Sequence, residues 1–245
     1  MEPSIPLRPI DYQSNGVRLK GYLADGSRGV PSPGVLVAHE AVGINDHTKE
    51  RAQALAELGY VAFALDLCGE QGFPVEEATA RHVELMSKSG LLLERAQAGL
   101  DVLTGSPGVD PRRLAAIGYC QGGIAAVELA RSGAPLRCAV GFHPGLTRPT
   151  GSPDGHFQAK VLMMIGHDDP VLPQADRVAF AAEMNAKRID WQLHVFGGVG
   201  HTYTNPAVNA LGRPGFAYNA TADRRSWSMM LALLQEEFGT LPIRE

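Results

Sequence analysis

Cysteine is scarce in this chain of 245 residues, which contains three: Cys68, Cys120 and Cys138. A small, odd number of cysteines in a long chain argues against a disulfide framework. It favours a reducing compartment, because free thiols persist there. We therefore expect a cytoplasmic protein.

Long apolar runs and blocks of positive charge are also absent from the sequence. No apolar run approaches the roughly 20 residues that a transmembrane helix needs. Residues 1–9 lack the charged start and apolar core of a secretory signal. The formal net charge is −4, without the basic clusters that nucleic-acid binding uses. We therefore expect neither a membrane nor a nucleic acid as a partner.

The composition is that of an ordinary globular protein, with 44% hydrophobic and 20% charged residues. A chain of this length can bury a large core, and we expect one domain over residues 1–245. Apolar runs, typical of strands buried on both faces, alternate with helical patterns. This alternation predicts an α/β fold with a mainly parallel sheet and helices on both faces. The predicted buried strands are 34–38, 60–67, 114–119, 137–142 and 160–165.

The remaining elements are expected around this set of strands. A half-exposed antiparallel strand is predicted at 16–24 and a last strand at 190–196, whereas 1–11 reads as an irregular lead-in. Asp46 is the expected cap of the first helix, and a turn is expected at Asp110. The predicted helices are 46–58, 75–87, 91–104, 173–187 and 222–238.

One stretch carries a recognisable chemical pattern, Gly118-Tyr119-Cys120-Gln121-Gly122. An apolar strand, a sharp turn and a helix of small residues around this pattern predict a nucleophile elbow with sulfur in place of the usual hydroxyl. The helix start directs backbone N–H groups and partial positive charge toward the sulfur, which favours the reactive thiolate. The alternative is that Cys120 is a small buried apolar residue, which is common for a lone cysteine.

Acidic residues and a histidine follow other predicted strands, at the edge where reactive groups collect in α/β sheets. The order nucleophile, acid, histidine is that of the α/β-hydrolase architecture. Each residue also has an alternative role. His201 could be a surface histidine on a Gly-rich loop, Glu40 could cap a helix, and the paired aspartates could form a turn. The candidates are Glu40, Asp168, Asp169 and His201.

Four segments of the chain resemble those of the dienelactone hydrolase family. They are the elbow 118–123, a glutamate segment 39–45, an acid loop 166–173 and a histidine loop 200–203. The likeness extends from about residue 16 to residue 238 and selects Asp169 over Asp168 as the acid. It implies a hydrolase that cleaves esters or lactones without a metal or organic cofactor. It also implies that Glu40 pairs with the thiol of Cys120 and can take its proton.

The family's substrate-binding arginines are matched only in part. The family places one arginine four residues after the histidine, where this chain has Asn205. Arg81 lies in the helical stretch that carries the other, although it could be a solvated helix residue. The missing arginine predicts weak activity on dienelactone and a less charged substrate, because a carboxylate would lose its bidentate partner.

Several residues complete the predicted site. The oxyanion of the reaction is expected to bind the backbone N–H groups of Gln121 and Ala41. Tyr119, Tyr203 and His143 are candidates for lining the pocket, with burial in the core as the alternative. No histidine pair has a compact metal-ligand spacing, so we expect no metal.

Two other classes of function stay open at this point. A redox protein could use Cys120 with Cys138 as a resolving thiol, and a binding protein could retain the fold without catalysis. The sequence names no natural substrate and is compatible with a monomer or a homodimer.

Overall fold

The computed structural model describes residues 5–69, 73–155 and 157–241. The strands are β1 (Leu7–Ser14), β2 (Val17–Asp25), β3 (Ser32–Ala38), β4 (Val61–Leu65), β5 (Val109–Tyr119), β6 (Leu136–Phe142), β7 (Lys160–Gly166) and β8 (Trp191–Phe196). The helices are α1 (Asp46–Glu57), α2 (Val75–Ser87), α3 (Leu91–Thr104), α4 (Gln121–Arg131), α5 (Gln174–Ala186) and α6 (Ala220–Phe238), with a 3₁₀ helix at Pro206–Leu211.

The strands form one eight-stranded sheet in the order β1-β2-β4-β3-β5-β6-β7-β8. The strands from β4 to β8 in this order are parallel to their neighbours, and β1 and β2 join antiparallel at one edge. The predicted mainly parallel α/β sheet is therefore confirmed. Every residue of β3 and β4 is buried, as their continuous apolar sequences predict.

Helix α4, which follows the elbow, is buried along its whole length. All 11 of its residues are buried, and small side chains at Gly123, Ala125 and Ala126 bring it close to the sheet. An added Cβ at Gly123 would lie 3.1 Å from the Cα of Gly141 in β6. This close packing fixes the start of α4, and with it the residue that precedes the helix.

The N-terminal segment differs from the prediction. Residues 1–11 were expected to be irregular, but Leu7–Ser14 is strand β1, paired in register with β2. The two strands join through Asn15 and Gly16, both with positive φ (45° and 79°), as a type I′ hairpin turn requires. Residues 1–4 of the predicted lead-in, and residues 70–72 between β4 and α2, lie outside the described residues.

Some predicted boundaries also shift. The N-cap of α1 is Asn45, whose side chain accepts a 3.1 Å hydrogen bond from the N–H of Thr48, and not Asp46. Helix α6 begins two residues earlier than expected, because Asn219 caps it. The expected turn at Asp110 is an irregularity inside β5, where the pairing with β3 changes register. Within the described ranges, no helix has the length and apolar character needed to cross a bilayer.

Candidate active site

Cys120 occupies the turn between β5 and α4. Its backbone has φ 53° and ψ −117°, a strained conformation for a residue with a side chain, and its N–H donates a 3.0 Å hydrogen bond to the carbonyl of Phe142. The turn depends on two glycines. An added Cβ at Gly118 would lie 2.0 Å from the carbonyl oxygen of Gly122, and one at Gly122 would lie 2.3 Å from that of Ala38. The elbow predicted from the sequence is therefore present, and Cys120 is partly exposed at its apex.

His201 and Asp169 meet on the loops that follow β8 and β7. Nδ1 of His201 lies 2.6 Å from Oδ2 of Asp169, and both side chains are buried. The other carboxylate oxygen, Oδ1, accepts a 2.9 Å hydrogen bond from the N–H of Val171. Asp168 is exposed. The structure thus brings Asp169, and not its neighbour, to the histidine.

The surroundings of His201 favour its charged form. Burial by itself lowers the pKa of the imidazole, but the sulfur of Cys120 and the carboxylate of Asp169, both hydrogen-bonded to the ring, raise the pKa to about 10. The ring therefore stays protonated to higher pH than a free imidazole does. A cysteine, a histidine and an aspartate from three distant parts of the chain form one hydrogen-bonded series.

Glu40 lies just beyond the end of β3 and is buried. Its Oε2 accepts a 2.9 Å hydrogen bond from the side-chain amide of Asn205, while its Oε1 has no hydrogen-bond partner within the described residues. Burial raises the pKa of Glu40, and the hydrogen bond from Asn205 and the charge of His201 offset part of that rise. Because Asn45 caps α1, the alternative that Glu40 is a helix cap is wrong.

The two backbone N–H groups predicted to bind an oxyanion belong to Gln121 and Ala41. Neither donates a hydrogen bond to another group in the part of the chain that the structure describes. Gln121 is the first residue of α4, whose N–H groups point out of the helix end. Ala41 lies on the loop after β3. Both N–H groups therefore have an unused hydrogen-bonding capacity.

Three predicted pocket residues do not line a pocket. Tyr119 and Tyr203 are 0% exposed, as is His143, so a substrate has no surface of theirs to touch. The burial of Tyr119 follows from the two-residue period of a strand, in which alternate side chains point to the same face. Tyr119 therefore shares a face of β5 with Ala115 and Ile117 and packs into the same core cluster. The hydroxyl of Tyr203 donates to the carbonyl of Met164, 3.3 Å away. The expectation that these residues contact substrate is wrong, and they form an aromatic layer beneath the site.

Arg81 lies on α2, near the elbow. It pairs with Glu77 at 3.0 Å, and its guanidinium lies 4.4 Å above the ring of Phe73. The next residue, His82, contacts the side chain of Gln121 at 3.1 Å. This helix therefore borders the site, and substrate binding by Arg81 stays a prediction.

The third cysteine is far from the elbow. Cys138 is 0% exposed and pairs in the sheet with Ala115, five residues before Cys120. At about 3.3 Å per strand residue the separation is roughly 16 Å, whereas a disulfide needs Cα atoms within about 7 Å. Burial also raises the pKa of the Cys138 thiol. The redox alternative that pairs these two cysteines does not agree with the fold.

Two features of the site were not foreseen in the sequence. His39 is fully buried, and both ring nitrogens make hydrogen bonds at the site, to Glu40 and to Leu67. Asn205 contacts Glu40 directly. The position of His39 after a buried strand was the only available signal. Among the described residues, no cluster of three His, Cys, Asp or Glu side chains is arranged to hold a metal ion.

The chain matches a known protein family and is similar to several known proteins. The model of the dienelactone hydrolase family matches residues 19–238. A probable 2-oxo-3-(5-oxofuran-2-ylidene)propanoate lactonase of Bradyrhizobium is 26% identical over 238 residues, 92% of each chain. A putative carboxymethylenebutenolidase of Escherichia coli is 27% identical over 224 residues, 85% of this chain and 79% of that protein. The crystal structure of a dienelactone hydrolase-like promiscuous phosphotriesterase from metagenomic libraries covers 97% of this chain and 100% of its own, with 40% identity and a TM-score of 0.91.

Proposed function

The chain belongs to the dienelactone hydrolase family of ester and lactone hydrolases, and we propose that it acts through Cys120, His201 and Asp169 with a thioester intermediate. One observation carries this proposal. The imidazole of His201 is hydrogen-bonded to Asp169 on one side, at 2.6 Å, and to Cys120 on the other. This is the arrangement that a nucleophile, its base and the group that orients the base require.

In the first half of the proposed reaction, the thiolate of Cys120 attacks the carbonyl carbon of an ester or lactone. The carbonyl electron pair moves onto oxygen, and the N–H groups of Gln121 and Ala41 bind the resulting oxyanion. The tetrahedral intermediate then collapses and expels the alcohol oxygen, which takes a proton from the His201 imidazolium. The acyl group stays on sulfur as a thioester.

In the second half, neutral His201 removes a proton from water, and the hydroxide attacks the thioester. The second tetrahedral intermediate expels the Cys120 thiolate, the acid leaves, and the imidazolium–thiolate pair is restored. Asp169, 2.6 Å from Nδ1, holds the ring in the orientation that both proton transfers need. Glu40 is the proposed first acceptor of the thiol proton, as the family resemblance implies, and burial raises its pKa, which makes its carboxylate a stronger base.

The substrate class that fits this site best is an ester or lactone without a carboxylate near the reacting bond. Asn205 is 7% exposed and already donates to Glu40, so it offers a substrate carboxylate no cation. Catalytic efficiency on dienelactone is therefore expected to be low. Comparable efficiency on dienelactone and on the best neutral ester would contradict this assignment.

The test of the mechanism is capture of the acyl-enzyme. We expect mass spectrometry of the protein, quenched early in turnover of p-nitrophenyl esters, to show the acyl mass on Cys120. Cys120→Ala should abolish turnover and keep its circular dichroism spectrum, and Cys138→Ala, which changes a thiol outside the site, should retain turnover. Full activity in Cys120→Ala would disprove the proposal. A screen of esters of rising chain length alongside lactones would then give the size of the pocket.

A second activity is favoured by one specific comparison. The metagenomic protein that is 40% identical over almost the whole chain is described as a promiscuous phosphotriesterase. Attack of the Cys120 thiolate on phosphorus would expel an aryl oxide and leave a thiophosphate ester on the enzyme, which water would then cleave. We expect slow release of p-nitrophenol from diethyl p-nitrophenyl phosphate. Release at the same rate in Cys120→Ala would show that any such activity lies elsewhere.

A further inference from the structure

The peptide group between Glu40 and Ala41 is held at its carbonyl by three donors. The oxygen of Glu40 accepts from Nδ1 of His39 at 2.5 Å and from the N–H of Gly43 at 3.1 Å. The side-chain amide of Gln121 approaches the same oxygen at 3.4 Å. The N–H of the same peptide group, that of Ala41, donates to no other group in the described residues.

A peptide group is planar and its C=O and N–H point in opposite directions. Donors that fix the carbonyl therefore also fix the direction of the N–H. Hydrogen bonds to the carbonyl further polarise the group, so that its N–H becomes a stronger donor. The contacts on the oxygen of Glu40 thus determine how Ala41 meets an oxyanion.

His39 makes the shortest of these contacts, and its surroundings set its protonation. Its Nε2 accepts a 3.0 Å hydrogen bond from the backbone N–H of Leu67, so the proton of the neutral ring is on Nδ1, directed at Glu40. The ring is 0% exposed. It therefore connects the chain just after β4 to the loop after β3 and holds the Glu40 carbonyl in one place.

Gln121 couples the two predicted oxyanion donors. Its backbone N–H is one of them, and its side-chain Nε2 approaches the carbonyl that belongs to the other. Its Oε1 lies 3.1 Å from Nδ1 of His82 on α2, which determines the orientation of the amide. The elbow is also in close backbone contact with the end of β3 and the residue after it, because an added Cβ at Gly122 would lie 2.3 Å from the carbonyl oxygen of Ala38 and 2.8 Å from that of His39.

We propose that His39 is a positioning residue that directs the N–H of Ala41 at the oxyanion, with the side chain of Gln121 as a second, weaker contact. This inference rests on the proposed function, because it requires an oxyanion at the site. His39 itself is not proposed to touch the substrate or the reacting sulfur. It acts through the Glu40–Ala41 peptide group.

The test compares His39→Leu with His39→Gln in the full chain. Leucine fills a similar volume but donates nothing, whereas the glutamine amide can donate to Glu40 and accept from Leu67. For His39→Leu we expect kcat on p-nitrophenyl acetate to fall about 10- to 100-fold, less than the roughly 10²–10³ for complete loss of an oxyanion donor, with KM changed by less than about twofold. His39→Gln should recover most of the loss.

A second substrate separates positioning from a general structural effect. In p-nitrophenyl thionoacetate, sulfur replaces the carbonyl oxygen and is a larger, weaker hydrogen-bond acceptor. A well-directed donor favours the oxygen ester, so the ratio of oxygen-ester to thiono-ester rates should fall in His39→Leu and return in His39→Gln. The rate of Cys120 alkylation by iodoacetamide should be unchanged, because that reaction needs no oxyanion site.

An unchanged rate ratio in His39→Leu, or a fall in alkylation that equals the fall in kcat, would overturn the inference. If His39→Leu does not fold, Gln121→Met provides the same test, and we expect the ratio to move in the same direction by a smaller factor. A failure of the proposed function itself would be detected by a different measurement, the mass of the wild-type protein during turnover. In that case the wild-type protein would show no acyl group on Cys120.

Discussion

The side-chain amide of Asn205 donates a 2.9 Å hydrogen bond to Oε2 of Glu40. The same side chain caps the 3₁₀ helix, with Oδ1 accepting from the N–H of Ala207 at 3.1 Å. The cap fixes which end of the amide faces Glu40. Asn205 therefore stabilises the ionised form of a carboxyl group that burial otherwise disfavours.

Replacement of Asn205 by leucine should shift the pH dependence of the reaction. Without the amide, burial acts unopposed by this hydrogen bond and the pKa of Glu40 rises further, so the carboxyl group holds its proton to higher pH. If Glu40 accepts the thiol proton, the acid limb of kcat/KM moves to higher pH. A pH–rate profile checks this, with Asn209→Ala, an exposed asparagine of the same 3₁₀ helix, as the control. An unmoved acid limb would remove Glu40 from the mechanism.

Replacement of Asn205 by arginine should change substrate preference. The guanidinium would stand where the family places a substrate-binding arginine and could bind a carboxylate in bidentate fashion. We expect the ratio of kcat/KM for an aryl ester with a terminal carboxylate to that for its neutral counterpart to rise by about tenfold, the factor that corresponds to roughly 1.4 kcal/mol. Asn205→Lys is the control, because lysine adds the same charge without the planar guanidinium that binds a carboxylate through two hydrogen bonds. An unchanged ratio would mean that the arginine pairs with Glu40 instead.

The charge of His201 should depend on the thiol of Cys120. Burial lowers the pKa of the ring and its two partners raise the pKa to about 10, so the ring is protonated at pH 8 in the wild type. Cys120→Ala removes one partner, and the pKa should fall. NMR titration of the His201 ring protons measures both values. Equal pKa values in the two proteins would show that the sulfur does not interact with the imidazole.

A buried ion network between α4 and α5 should contribute strongly to stability. Arg131 is 1% exposed and pairs with Glu128, which is 0% exposed, and with Glu183 at 2.7 Å. Arg131→Met leaves the buried carboxylate of Glu128 without its cation and Glu183 with only its 3.7 Å contact to Arg148, which we expect to lower the free energy of unfolding by about 3–5 kcal/mol. Urea denaturation measures the change, and the double variant with Glu128→Gln should recover part of it. Arg112→Met, which removes a guanidinium that is 88% exposed in its pair with Asp110, serves as the control and should unfold nearly as the wild type does.

The sequence predicted the central strands and most helices because their apolar runs are continuous and end at caps or glycines. Helices α2 and α3 lie at the predicted residues, 75–87 and 91–104. Strand β1 was missed because Pro9 and the polar residues around it interrupt the alternating apolar pattern of a strand. Leu7, at its start, is partly buried and packs on the core. The Asn15-Gly16 pair was a hairpin signal that could have revealed it.

The site was predictable where the chemistry requires a particular residue at a particular turn, as with Cys120 and its flanking glycines. The aromatic residues were not, because a side chain after a buried strand can face either the pocket or the interior. His143 faces the interior, where its Nε2 lies 2.8 Å from the hydroxyl of Thr204. The link between His39 and the carbonyl of Glu40 depends on three-dimensional proximity of two strand ends, which no local pattern encodes.

The complete burial of α4 has a consequence for how this protein can change over generations. A helix with all 11 residues enclosed accepts few replacements without loss of packing. The loop that carries Asn205 and the helix that carries Arg81 border the site, and replacements there disturb less of the packed core. Libraries that aim at new specificity should therefore diversify the rim around Asn205 and Arg81, and leave the segment that holds the sulfur intact.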